Sequence, residues 1–159
     1  MTLESGVIQR CVVDSVDKTK HEPGPLLEIL HAVQNELGCV PPESVPLIAE
    51  ALNLSRAEVH GVVSFYHHFR ATPAGRHTLA LCRAEACRAM NGDGLAEFAK
   101  RRLGLEFGAT RADGLVTLDA VYCLGNCACA PSAMIDGELR GRLDEKALEA
   151  CAERWNVPE

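Results

Sequence analysis

Residues 77–87 read HTLALCRAEAC, an apolar run that ends in Cys82 and Cys87 with four residues between them. The run before the first cysteine has the length and composition of a β-strand. A second apolar run, at 115–118, precedes Cys123 and Cys127, which have three residues between them. Each pair therefore follows a predicted strand, where loops can converge, and we expect the two pairs to form one site.

Four thiolates in one site favour a soft or borderline metal, and the two candidates are zinc and an iron–sulfur cluster. Structural zinc commonly uses two tight C-x2-C knuckles, whereas a two-iron cluster accommodates longer, asymmetric loops. The spacing therefore favours a 2Fe-2S cluster over zinc. Simple burial of small residues is a third interpretation, but four of the eight cysteines lie in two short segments rich in Ala and Gly. Gly125, inside the second pair, can turn the backbone and direct N–H groups at sulfur, although turn formation alone also explains it.

The other four cysteines are not predicted to be ligands. Cys129 lies two residues after Cys127 and could replace it, but we favour Cys127. Cys11, Cys39 and Cys151 are isolated and are predicted to pack in the interior. No catalytic residue is predicted, since the chain lacks a Gly-rich nucleotide loop, a nucleophile elbow and an H-E-x-x-H motif.

Composition limits the possible partners. The 159 residues are enough for one domain with a small helical block beside it, and the net charge of -6 without a basic run argues against nucleic acid. The first residues lack the features of a secretory signal, and no apolar stretch is long enough to span a bilayer. We therefore expect a cytoplasmic protein without direct membrane insertion. A reducing compartment disfavours disulfides, which supports metal binding by the clustered cysteines.

The chain is predicted to have an α+β fold in three parts. Residues 1–22 show no steady period and are predicted to be a flexible arm, and 23–74 are predicted to be a helical bundle. A composition break at 71–75 then separates this bundle from a small mixed sheet with helices in 75–159. The predicted helices of the bundle run from Pro25 to Gly38, from Val45 to Asn53, and from a capping box at Ser55 and Glu58 to Tyr66. The predicted order of the last part is β-α-β-β-β-α, with strands at 77–81, 115–118, 133–135 and 137–139 and helices at 95–103 and after Asp144.

Several short segments follow a family pattern in order, namely 41–42, 52–58, 61–66, 73–77, 113–114, 123–128 and 130–131. Together they resemble the thioredoxin-like 2Fe-2S ferredoxins, the family to which the 24 kDa (E) component of NADH:quinone oxidoreductase belongs. The resemblance implies that Cys82, Cys87, Cys123 and Cys127 are the ligands of one 2Fe-2S cluster. It also implies that 75–159 form a thioredoxin-like ferredoxin domain and that 23–74 form a docking domain.

The first cysteine segment, CRAEAC at 82–87, is similar to the gamma subunit of NAD-dependent, molybdenum-containing formate dehydrogenase. This resemblance implies a complex that converts formate and NAD+ to CO2 and NADH. Its alpha subunit would hold the molybdenum cofactor, and its electrons would pass through 4Fe-4S clusters to FMN and NAD on the beta subunit. The present chain would contact the beta subunit directly and place its cluster near the flavin.

Three other functions are considered beside this one. The first is the equivalent subunit of a respiratory NADH:quinone oxidoreductase or of an NAD-reducing hydrogenase. The second is a structural zinc module that serves assembly. The third, a thiol–disulfide enzyme, is disfavoured because the chain has no C-x-x-C pair.

The charges around the first cysteine pair bear on its reduction potential. Arg83 and Arg88 each follow a cysteine, and positive charge near a cluster favours its reduction. Glu85 lies between the same cysteines and acts in the opposite direction. The sequence alone leaves the sign of the net effect open.

Overall fold

The computed structural model describes residues 4–157, and the chain divides into two compact units after Pro73. The boundary predicted from composition, after residue 74, lies one residue further along. Among the helices of residues 4–157, none combines the length and apolar character that a bilayer span requires.

The first unit consists of helices. They are α1 (Ser5–Thr19), α2 (Leu26–Leu37), α3 (Ser44–Leu52) and α4 (Arg56–Phe65). Left-handed residues end two of them, Gly38 at φ 76° after α2 and Asn53 at φ 54° after α3. The capping box begins α4, since the Ser55 hydroxyl accepts from the Glu58 N–H at 3.2 Å and the Glu58 carboxylate accepts from the Ser55 N–H at 2.8 Å.

Helix α1 corrects the sequence prediction, which treated residues 1–22 as a flexible arm. Its buried side chains recur at helical spacing; they are Ile8, Cys11, Val12, Ser15 and Val16. All of them except Ser15 belong to the apolar core of the first unit. The period is hard to recognise in the sequence because a cysteine and a serine occupy two of the five buried positions. The prediction is wrong for Ser5–Thr19, and residues 1–3 lie outside the described part of the chain.

The second unit is built around a mixed sheet. In chain order its elements are β1 (His77–Cys82), α5 (Glu85–Ala89), α6 (Gly92–Leu103), β2 (Ala109–Thr110), β3 (Val116–Val121), β4 (Ala133–Ile135), β5 (Glu138–Arg140) and α7 (Glu145–Arg154). The strand order across the sheet is β2-β3-β1-β4-β5. Only the β1–β3 pairing is parallel among these strands, and the other pairings are antiparallel.

The parallel pairing of β1 with β3 brings the two cysteine segments together. The register sets Cys82, the last residue of β1, opposite Val121, the last residue of β3. Parallel strands need a crossover connection, and α5 and α6 are part of it. Because both strands point the same way, the chain that leaves each of them emerges at the same edge of the sheet.

The apolar faces of α6 and α7 share one core with the sheet. Its members include Leu79 and Leu81 from β1, Val116 and Leu118 from β3, Ala96, Ala99 and Leu103 from α6, and Leu148 and Ala152 from α7. Both helices lie where the sequence predicted helices, at 95–103 and after Asp144.

The α+β fold class predicted from the sequence is confirmed. The structure adds β2 and α5 to the predicted order. Strand β2 has two residues and α5 has five, so neither is long enough to leave a periodic pattern in the sequence.

Thr117 of β3 provides a test of the hydrogen bond that holds the segment before β1 against β3. Its buried hydroxyl accepts from the Gly75 N–H at 2.7 Å and pairs with the Thr110 hydroxyl at 2.7 Å. Thr117→Val removes the acceptor and leaves a backbone N–H unpaired, so we expect the free energy of unfolding to fall by about 1–3 kcal/mol. Thr110→Val is the matched control, because it leaves the Gly75 bond intact. Denaturant unfolding measures both, and an equal loss in the two variants would contradict the assignment.

Asp136, in the turn between β4 and β5, provides a test of pH dependence. Burial raises the pKa of its carboxyl, but the Thr78 N–H, His77 and Trp155 act in the other direction and hold it below the ordinary value of 3.8. A carboxyl whose pKa is lower when folded contributes stability above its unfolded pKa and loses this contribution as the pH falls through the folded pKa.

We therefore expect Asp136→Asn to cost about 1 kcal/mol near neutral pH, a modest value because solvent screens a partly exposed carboxylate. The difference from the unchanged protein should shrink as the pH falls below 3.8. Urea unfolding from neutral pH to below pH 3.8 measures this difference in stability, with Glu153→Gln on the exposed face of α7 as the control. A difference that stays constant with pH would show that the loss is not electrostatic.

Candidate metal centre

The four predicted ligands lie at the sheet edge where β1 and β3 end. Cys82 ends β1, and Cys87 lies two residues into α5. Cys123 lies two residues beyond β3, and Cys127 begins a single 3₁₀ turn, Cys127–Cys129. The structure thus brings together both cysteine pairs that the sequence singled out.

The first pair, Cys82 and Cys87, is termed the inner pair because both residues are buried, at 5% and 2% exposure. The Cys87 thiol is one of the groups that lower the pKa of Cys82, so the two side chains lie near one another. Gly92, at the start of α6, packs closely on this pair. A Cβ added there would lie 2.5 Å from the Cys87 carbonyl oxygen, which excludes any larger residue without a shift of the backbone.

The second pair, Cys123 and Cys127, is termed the outer pair because both residues are exposed. Their sulfur atoms are 3.8 Å apart. Cys123 has a φ of 86° and Gly125 a φ of 75°, both in the left-handed region. This conformation directs the Gly125 N–H at the Cys123 sulfur, at 3.4 Å. Gly125 therefore has the role expected from the sequence, and the conformation at Cys123 is strained for a residue with a side chain.

Backbone N–H groups also point at the inner pair. Burial raises the pKa of the Cys82 thiol, but the N–H groups of Ala84, Cys123 and Leu124 donate to its sulfur, and with the Cys87 thiol they bring the pKa below the ordinary 9.0. Two of these N–H groups belong to the outer loop. The loop that carries the outer pair therefore closes over the sulfur of the inner pair.

The pKa values of Cys87 and Cys127 are both raised above the ordinary 9.0. Burial, then the hydrogen bond to Cys82, raises the pKa of Cys87, and the negative charges of Cys82 and Cys127 add to this. Cys123, by its hydrogen bond and its charge, raises the pKa of Cys127, with a smaller contribution from Cys82. The sulfurs of the two pairs are thus close enough to influence one another.

This donor set fits an iron–sulfur cluster. Four thiols converge, backbone N–H groups already aim at three sulfurs, and mutual repulsion among thiolates is relieved when they bind cations. Four cysteine thiolates are the ligand set that a 2Fe-2S cluster uses, and Cys82, Cys87, Cys123 and Cys127 would supply it.

The outer loop is anchored by polar residues whose role the sequence did not reveal. The Ser132 hydroxyl lies 3.3 Å from the carbonyl oxygen of Asn126 and 3.2 Å from that of Cys129, and the Asn126 side-chain amide donates to it at 3.2 Å. Ser132 also directs its N–H at the Cys87 sulfur. A single serine between a loop and β4 has no distinguishing pattern in a sequence.

Cys129 lies in the same 3₁₀ turn as Cys127 and is half-buried. An added Cβ on Gly141 would lie 2.7 Å from the Cys129 Cβ, so Cys129 packs against the segment after β5. In a 3₁₀ turn, residues two apart point in different directions, so Cys127 and Cys129 do not share a direction. Cys11 and Cys39 are buried as predicted, and burial raises the pKa of Cys11 to about 11.

The fold and the paired thiols define the class of protein, and comparison with known families identifies it. The model of the thioredoxin-like 2Fe-2S ferredoxin family matches residues 12–156. The chain therefore belongs to the thioredoxin-like 2Fe-2S ferredoxins, and its cofactor is a 2Fe-2S cluster.

Curated relatives include subunits of two kinds of complex. The chain is 30% identical over 136 residues to the HndA subunit of the NADP-reducing hydrogenase of Solidesulfovibrio fructosivorans, covering 86% of this chain and 80% of the relative. It is 37% identical over 115 residues to the E subunit of the NADH-quinone oxidoreductase of Pseudomonas aeruginosa, covering 72% and 69%. The corresponding protein of Escherichia coli is 33% identical over 129 residues, covering 81% and 78%.

A solved structure has the same fold. A chain of the NAD+-reducing NiFe-hydrogenase in its H2-reduced state superposes with a TM-score of 0.70 at 24% identity. The match covers 84% of this chain but only 22% of the hydrogenase chain, so the present protein spans about a fifth of it. At this identity the likeness shows the fold alone.

Proposed function

We propose that this chain is an electron-transfer subunit of an oxidoreductase complex, with one 2Fe-2S cluster held by Cys82, Cys87, Cys123 and Cys127. The observation that carries the proposal is the convergence of two cysteine pairs at one sheet edge, with backbone N–H groups directed at their sulfurs. The cluster supplies a one-electron carrier, because it alternates between two oxidation states without a bound substrate.

The residues of this chain give that carrier its surroundings. The N–H groups of Ala84, Cys123, Leu124 and Gly125 stabilise negative charge on sulfur, which favours the reduced state. The inner pair is shielded from water by the sheet edge and α6. The outer pair is exposed, so a redox partner can approach the site from this side.

The ligand assignment predicts different results for different cysteines. Cys87→Ser or Cys123→Ser should abolish the electron paramagnetic resonance (EPR) signal of the dithionite-reduced chain or change its line shape, because oxygen replaces a thiolate donor. Cys129→Ser and Cys151→Ser are the matched controls and should keep the signal, with about two irons and two acid-labile sulfides per chain. An unchanged signal in Cys87→Ser and Cys123→Ser would refute the ligand set. Zinc without sulfide in protein prepared without oxygen would favour the assembly module.

The relatives support a subunit of an NADH:quinone oxidoreductase or of an NAD(P)-reducing hydrogenase. We infer a flavin-bearing subunit as its direct partner from the family resemblance of the sequence. The sequence alone ranks formate dehydrogenase first, whereas the relatives favour this alternative. A formate dehydrogenase remains the second candidate, and its support is the CRAEAC segment at 82–87. In that case the partners are a beta subunit with FMN and 4Fe-4S clusters and an alpha subunit with the molybdenum cofactor. A cytoplasmic location remains a prediction in both cases.

The intact complex distinguishes these candidates. We expect a complex purified through a tag on this chain to contain flavin and to reduce its 2Fe-2S cluster with NADH or NADPH. Nickel and hydrogen-dependent reduction of the cluster would identify a hydrogenase, and quinone reduction without nickel or molybdenum a respiratory complex. Molybdenum together with formate-dependent reduction of the cluster would identify a formate dehydrogenase and make it the first candidate. A chain isolated without flavin or a redox partner would contradict both candidates.

A further inference from the structure

The two cysteines of the inner pair are each followed by an arginine, and the two arginines bind the same carboxylate. Arg83 donates from Nη2 to Asp93 Oδ1 at 2.8 Å. Arg88 donates from Nε to Asp93 Oδ2 at 3.2 Å. Asp93 lies in the first turn of α6. The Arg83–Asp93–Arg88 network thus contains two positive charges and one negative charge, and the exposed carboxylate of Glu85 lies 4.0 Å from Arg88 Nη1 at its rim.

This network is connected to the inner pair through the backbone. Arg83 is the neighbour of Cys82 along the chain, so their Cα atoms are about 3.8 Å apart. Asp93 follows Gly92, which approaches the Cys87 carbonyl oxygen closely enough to exclude a Cβ. The network is therefore connected along the chain to both cysteines, through Arg83 and Arg88, and to Cys87 also by the packing of Gly92.

Among the charged side chains near the inner pair, Arg83 has the smallest exposed fraction. Its side chain is 24% exposed, and its guanidinium carbon lies 5.1 Å from the centre of the Phe107 ring. Its Nε is buried without a hydrogen-bond partner in the described part of the chain. Glu85, by contrast, is 96% exposed. Water and salt screen an exposed charge far more than a half-buried one, so Arg83 outweighs Glu85 at the inner pair.

We propose that the Arg83–Asp93–Arg88 network sets the reduction potential of the cluster. Reduction adds one negative charge, and the positive charge of Arg83 stabilises it and raises the potential. Asp93 is a positioning residue that holds both arginines, and its own charge limits the rise. This inference rests on the proposed function, because it needs the cluster in place. The inference also gives a sign to the net effect of Arg83, Arg88 and Glu85 on the reduction potential, which the sequence left open.

The test is a redox titration of the purified full-length chain, followed by EPR. Arg83→Gln should lower the midpoint potential, and Arg83→Lys, which keeps the charge, should leave it close to that of the unchanged protein. Arg88→Gln should lower it less, because Arg88 is 52% exposed. Asp93→Asn should raise it, since Arg83 stays stacked on Phe107 while the negative charge is lost. Asp93→Glu, which keeps the carboxylate, should leave the midpoint potential close to that of the unchanged protein.

The pair of Arg111 and Asp113 is a matched control. The two side chains are 2.9 Å apart and are 23% and 46% exposed, against 24% and 49% for Arg83 and Asp93. They precede β3, whose six residues put them roughly 17 Å or more along the strand from Cys123. Arg111→Gln and Asp113→Asn should therefore leave the potential unchanged.

The outcomes separate this inference from the proposed function. If the unchanged chain carries no cluster, the proposed function fails and the inference fails with it. If the cluster is present and the potential does not move, only the inference is overturned. Shifts of the same sign in Arg83→Gln and Asp93→Asn would indicate a structural disturbance and would also overturn it. If Arg83→Gln does not retain a cluster, Arg88→Gln and Asp93→Asn provide the same test, because the first should lower the midpoint potential and the second should raise it.

Discussion

The parallel hydrogen bonding of β1 to β3 is the constraint on which the site depends. Cys82 and Val121 are opposite one another at the ends of these strands, so the segments with the two cysteine pairs leave the sheet side by side. With antiparallel pairing they would leave at opposite edges, about a strand's length apart. The crossover that this pairing requires also carries Cys87 and Asp93. One pairing therefore accounts for the position of the candidate ligands and of the charged residues that follow them in the chain.

The inner and outer pairs are chemically alike but differ in their surroundings. The inner pair is buried, receives most of the backbone N–H groups and is connected through the backbone to the Arg83–Asp93–Arg88 network. The outer pair is exposed on a loop with left-handed backbone at Cys123 and Gly125. This division suits a carrier that holds its charge in a protected place and exchanges electrons with a partner at its surface.

Particular residues show how far sequence reasoning reached. The α+β fold class, the helices after Pro25 and the capping box at Ser55 were predictable, because periodicity and capping are local properties. Helix α1 was missed, since its buried face includes a serine and a cysteine. Ser132 was missed as well, because its partners come from elsewhere in the second unit. Its hydrogen bonds to the outer loop and its N–H at Cys87 exist only once β4 is in place.

The sequence by itself determined which residue types are available, at what spacing, and on which kind of element. Two cysteine pairs after two strands were enough to predict one cluster and its four candidate ligands. Only the tertiary structure decided which pair is buried, which N–H groups reach the sulfurs, and that Arg83 and Arg88 share the carboxylate of Asp93. Burial and hydrogen bonding depend on what packs against a residue from other elements, and neighbours in the chain do not specify it.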